Sequence, residues 1–96
     1  MAETVDELTI TYTEDGIDTV KELDKVVLTK GAWSTIMYKF QDWNRTKEEY
    51  GPPKFSIRRY QKRNGQYQAK SKFNISSVDQ AEKIIEALQT WIKADA

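Results

Sequence analysis

The sequence predicts one small α+β domain, in which antiparallel strands precede a single C-terminal amphipathic helix. Three observations carry this prediction. With 96 residues and 39% hydrophobic content, the chain can bury one modest core. A run rich in β-branched and aromatic residues leads into a hairpin signal at Asn64-Gly65. Residues 77–96 then hold apolar side chains at helical spacing behind a capping signal.

Taken in order, "ELTITYTEDG" is strand-like and ends at Gly16, and "IDTVKELDKVVL" fits either a short helix or an extended segment. The division this implies is an acidic segment over residues 1–25, partly strand or flexible, and a sheet-plus-helix domain over residues 26–96. "VVLTKGAWSTIMYKFQDW" reads as one strand, or as two broken at Lys30-Gly31, with Ile36, Tyr38 and Phe40 on one face and Met37, Lys39 and Trp43 largely on the other. "NRTKEEYGPP" is a loop, because Gly51-Pro52-Pro53 cannot continue a paired strand.

"KFSIRRYQK" and "QYQAKSKFNI" form the hairpin. A two-residue turn would pair Lys62 with Tyr67 and split the apolar residues between both faces. A three-residue loop over Arg63, Asn64 and Gly65 pairs Lys62 with Gln66 instead. It gathers Phe55, Ile57, Tyr67, Ala69, Phe73 and Ile75 on one face and Ser56, Arg58, Tyr60, Lys62, Gln66, Gln68, Lys70, Lys72 and Asn74 on the other. The second register is expected, since the first exposes hydrophobic residues. In the final segment Ser77 and Gln80 make a capping box, and Ala81, Ile84, Ile85, Leu88, Trp91 and Ile92 form an apolar stripe directed at the sheet.

The formal net charge is +0, but the charges are segregated. Residues 1–25 carry eight acids and two lysines, whereas residues 26–72 carry eleven bases and three acids. The stretch at residues 56–76, "SIRRYQKRNGQYQAKSKFNIS", holds Arg58, Arg59, Lys62, Arg63, Lys70 and Lys72 and no acid. A basic middle with acidic flanks points to a polyanionic partner and to an acidic segment able to compete for the same surface. On the polar face of the hairpin, Arg58, Lys62, Lys70 and Lys72 surround Tyr60. Cations neutralise phosphates and flat rings stack on unpaired bases, so this pattern suits a single strand. Lys39, Phe40, Trp43 and Arg63 complete the candidate nucleic-acid-binding set. The helix, with Asp79, Glu82 and Glu86 against Lys83 and Lys93, is a poor reader of the major groove.

Without Cys or His, the chain offers no disulfide, no thiolate metal site and no histidine base. No catalytic residue, metal or cofactor is expected, and the protein is read as a non-enzyme. No apolar run approaches a membrane span, and the acidic start is unlike a signal peptide. An intracellular protein with no membrane partner is expected.

"KGAWSTIMYKFQDW", "KFSIRRYQKRNGQYQ" and "SKFNISSVDQAEKIIEALQTWI" together resemble the single-stranded-DNA-binding domain of the transcriptional coactivator positive cofactor four family, especially its small bacterial and phage relatives. The resemblance covers residues 26–93. It implies a curved antiparallel four-stranded sheet followed by a C-terminal amphipathic helix, dimeric largely through the helices, with Ile84, Leu88 and Trp91 at the interface. The paired sheets of that family form channels for single strands of opened duplex. Arg58 matches its basic residue on the third strand, Lys70 and Lys72 its basic pair, and Phe40 the aromatic residue ending an earlier strand. The family's glycine after the basic pair is replaced by Phe73-Asn74, its tryptophan in the first helical turn by Ala81, and another tryptophan by Gln61.

The function this implies is sequence-independent single-stranded-DNA binding in transcription, replication or recombination, in the cytoplasm or nucleoid of a bacterium or phage host, or in a nucleus. The alternatives are RNA binding, or a protein-interaction module that recruits a polymerase or another transcription or replication protein through the acidic N-terminus or the helix.

Overall fold

The computed structural model describes residues 3–94. After a 3-10 turn at Val5–Glu7 come β1 (Tyr12–Glu14), β2 (Ile17–Thr29), β3 (Trp33–Asn44), β4 (Glu49–Tyr50), β5 (Lys54–Arg63), β6 (Gln66–Ile75) and the helix α1 (Val78–Ala94). The strands form one antiparallel sheet, curled as a half-barrel, in the order β1-β2-β3-β5-β6, with β4 paired to the end of β3. The sheet is thus six-stranded, where four strands were expected. The additional strands come from the acidic region and the Gly-Pro loop. "IDTVKELDKVVL" is extended throughout, and β2 runs unbroken through Lys25 and Val26. Between β2 and β3 the chain does break at Lys30-Gly31. None of the helices among the described residues is long and apolar enough to cross a membrane.

The hairpin differs from the expected register. Asn64 and Gly65 have φ of 53° and 78°, so both adopt the left-handed conformation of a tight two-residue turn, and Lys62 pairs with Tyr67. The sheet then corrects its own alternation. Arg59 pairs with Ser71 but Tyr60 pairs with Ala69, which leaves Lys70 as the extra residue of a β-bulge. Between the turn and the bulge, Tyr67 and Ala69 share a face with Lys62 and Tyr60. Beyond it, Phe73 and Ile75 share the opposite face with Ile57 and Phe55. Gln66 and Gln68, paired with Arg63 and Gln61, leave the expected polar face.

Each face of the sheet has its own cover. Ser34, Ile36, Tyr38 and Phe40 of β3 lie on one side with Ser56, Arg58 and Tyr60 of β5, as their direct pairing requires. Residues 5–10 pack onto this side, burying Val5, Leu8 and Ile10 against Ile36, Tyr38, Phe40, Tyr60 and Tyr67. The core is therefore on the N-terminal face. The acidic segment is built into it rather than standing apart from the domain.

The other side faces α1. Ser77 caps the helix by accepting the amide of Gln80 at 3.1 Å, while the Gln80 side chain accepts the amide of Ser76 at 3.0 Å. Leu28, Met37, Phe55, Ile57 and Ile75 of the sheet, with Ala81, Ile84, Ile85 and Leu88 of the helix, enclose an apolar groove of about 430 Å³. None of the helical residues is buried, and Trp91 and Ile92 are each 66% exposed. The molecule is a slab of 50 × 38 × 17 Å with a Cα radius of gyration of 15.5 Å. A compact domain of this length has a radius near 13 Å.

At Gly65 an added Cβ meets no atom within 4 Å, so its only cost is the left-handed backbone. Gly65→Ala is expected to lower stability by about 1 kcal/mol in urea unfolding without changing the register.

Candidate nucleic-acid interface

The hairpin strands position their cations through the register on both sides of the bulge. Arg58 and Lys72 are direct partners across β5 and β6, and Ser56 and Asn74 are the next pair on the same face. The Ser56 hydroxyl donates to Asn74 Oδ1 at 2.7 Å, and Arg58 Nε donates to Ser56 Oγ at 3.3 Å. These bonds direct the guanidinium along the sheet. Arg58, Ala69, Lys70, Ser71 and Lys72 line a shallow pocket of about 190 Å³ at the bulge. Lys62, two residues along from Tyr60, lies with its ammonium 5.5 Å from the Tyr67 ring centre. Arg63 is exposed beside the turn.

Among the described residues no acid is ion-paired with this set. Among the described residues the ion pairs are Arg45 with Glu14, Lys54 with Asp42 and Lys83 with Asp79, none of which includes a hairpin cation. The hairpin thus keeps its full positive charge at the β6 edge.

The other candidate residues are spread over the sheet. Lys39 and Trp43 alternate onto the helix face, with Trp43 packed edge-on against Tyr50 at 5.0 Å. Phe40 and Tyr60 are on the same face as Arg58, but they are 6% and 5% exposed beneath residues 5–10. Neither offers a ring to a ligand while that segment is in place. Arg59, counted among the hairpin bases but not in the nucleic-acid-binding set, has its guanidinium 4.7 Å from the Trp33 ring centre on the helix face. The diagonal between Thr35–Arg59 and Trp33–Gln61 pairings brings the two together, a contact visible only once β3 and β5 are paired. On the helix, Ile84 and Leu88 line the apolar groove and Trp91 lies beyond it.

Tyr38 and Tyr60 join their hydroxyls at 3.0 Å in the core. Burial pushes the Tyr38 hydroxyl well above its ordinary value, and the hydrogen bond and proximity of Tyr60 and the charge of Glu22 act in the same direction, against Arg58. Above about pH 10 the unfolded chain releases this proton while the folded chain retains it, so stability falls as pH rises. Tyr38→Phe is expected to reduce the steepness of that alkaline loss by up to about 1.4 kcal/mol per pH unit, read by denaturant titration at stepped pH.

The chain matches no protein-family model. No curated protein and no solved structure matches it either.

Proposed function

We propose that the protein binds single-stranded DNA without sequence preference, as a homodimer, where duplex is opened in transcription, replication or recombination. The observation that carries this reading is the hairpin's set of six cations without an acidic partner among the described residues. Arg58, Lys62, Lys70 and Lys72 neutralise phosphates along the β6 edge, and the likeness to the positive cofactor four family supports the same ligand. A sheet surface suits a flexible strand better than a duplex, whose major groove admits a helix or narrow ribbon.

A dimer answers the uncovered helix face. The accessible surface is 6948 Å² for an 11.2 kDa chain. A compact monomer of that mass exposes roughly 5,700 Å². The excess of about 1,250 Å² is larger than the roughly 800 Å² that each partner buries in a standard interface, so one such interface would remove most of it. A second copy is the proposed occupant because Ile85, Leu88, Trp91 and Ile92 form one exposed apolar stripe, which a two-fold axis sets against its own equivalent.

Fluorescence anisotropy tests the binding directly. Labelled single-stranded DNA of about twenty nucleotides is expected to bind more tightly than its duplex, with the matching RNA titrated beside them. Four phosphate contacts per protomer predict a slope of log K against log salt of about −3. Lys70→Glu with Lys72→Glu is expected to abolish binding while moving stability by less than about 0.5 kcal/mol, since both side chains are exposed. Equal, weak binding to all three nucleic acids, or intact binding by the reversed variant, rejects the reading.

The dimer has its own measurement. Leu88→Glu is expected to shift the sedimenting species from dimer to monomer while the helical circular dichroism remains.

A further inference from the structure

We infer that residues 4–11 are a displaceable cover, and that the aromatic surface beneath them binds unpaired nucleobases when the cover lifts. This rests on the proposed single-strand binding and adds a second, concealed subsite to it.

The cover is attached differently from every strand. Its two backbone hydrogen bonds, from Glu7 N to Thr4 O and from Leu8 N to Val5 O, are both internal. No backbone pairing joins it to the sheet among the described residues. Side chains hold it instead. Val5, Leu8 and Ile10 are 2%, 8% and 7% exposed in the core. Lys25 donates from one ammonium to the carbonyls of Val5, Asp6 and Leu8 at 2.9, 3.1 and 2.7 Å. Thr9 donates to the Glu22 carboxylate, and Thr11 Oγ1 accepts the Glu22 amide. Such a segment can leave without breaking a single strand pairing.

What it conceals has the composition of a single-strand platform. Tyr38, Phe40, Tyr60 and Tyr67 form the floor, and Arg58, Lys62 and Lys72 share their face of the sheet. Rings supply stacking surface for bases of any identity, and neighbouring cations hold the backbone. With the cover down, that pairing of rings and cations is incomplete, because only the cations are accessible. The cover also presents Asp6 and Glu7 to solvent, with Glu3 exposed just before it, and these repel a polyanion. A strand first held at the hairpin edge therefore meets a like-charged segment lying on the rings it would stack upon. Binding of bases to the uncovered state shifts the population toward it.

Hydrogen exchange on the full, unaltered chain tests this with a thymidine oligonucleotide of about twenty nucleotides. The amides of Glu7 and Leu8 are expected to exchange faster in the saturated complex, while those of β5 and β6 exchange more slowly. Unchanged or greater protection of Glu7 and Leu8, with anisotropy showing saturation, overturns the cover and leaves edge binding intact. Absence of any anisotropy change overturns both readings together. Leu8→Ser provides the independent arm. It is expected to bind the oligonucleotide about tenfold tighter, a gain of about 1.4 kcal/mol, and a folded variant with unchanged or weaker affinity rejects the inference. If that variant unfolds, the exchange measurement on the unaltered chain decides.

Discussion

Because the Asn64-Gly65 turn has two residues, β6 would place Phe73 and Ile75 on the N-terminal face and Lys72 on the helix face, were it not for the extra residue at Lys70. That single insertion reverses the alternation partway along the strand. Arg58 then faces the same way as Lys72, and Ile57 the same way as Phe73. The cationic lane at the sheet edge and the apolar groove under the helix both depend on it. A bulge on an outermost strand also interrupts the regular backbone pattern that another strand would pair with, and its lysines reinforce that protection. The same feature thus presents charge to solvent and discourages edge-to-edge aggregation.

A curled single sheet has two faces to cover, and this chain has little with which to cover them. The N-terminal face receives eight residues without strand structure, and the helix face receives one helix that buries none of its own residues. Burying a Leu, Ile or Val side chain contributes roughly 1.5 to 3 kcal/mol, so Val5, Leu8 and Ile10 contribute substantially to the stability of a domain of this size. The buried Tyr38–Tyr60 hydroxyl pair satisfies the polar atoms that the curl forces inward, and no buried side-chain polar atom among the described residues lacks a partner. Stability on one face and exposed apolar side chains on the other are consequences of the same shortage of chain.

How much of this is legible in the sequence depends on whether the signal is local. The helix is legible because its cap, its acidic first turn and its apolar stripe are written within residues 77–92. The position of the hairpin turn is legible in Asn64-Gly65, whose left-handed conformations need no tertiary support. Its register is not, because the bulge that reconciles a two-residue turn with the apolar pattern is decided by packing on two faces at once. The same applies to "IDTVKELDKVVL", whose mixed charges suit either a helix or an extended segment until β3 and residues 5–10 are beside it. Leu8 and Ile10 alternate as in a strand, yet the structure leaves residues 8–11 unpaired, so the local signal marks an apolar side without showing that Val5, Leu8 and Ile10 cover the sheet. The cations of the candidate site are legible, whereas the burial of Phe40 and Tyr60 depends on Val5, Leu8 and Ile10, far away in sequence.

The sheet order explains why a chain of zero formal charge can still attract a polyanion. Acids concentrate in residues 1–25, on and before β2, and unneutralised bases concentrate on β5 and β6, with β3 between them. Strands are spaced by about 4.8 Å, so β2 and β6 lie about 14 Å apart in the plane of the sheet. This exceeds the Debye length of about 8 Å at physiological ionic strength. Acids on one side therefore do little to cancel the field at the opposite edge, and a strand approaching β6 responds mainly to the six hairpin cations. Raising the salt weakens that attraction as well, because the cations are exposed. Among the described residues the cover carries Asp6 and Glu7 from the β2 side onto the face of Arg58 and Lys72, so its placement, more than the overall composition, sets how much of that basic face is accessible.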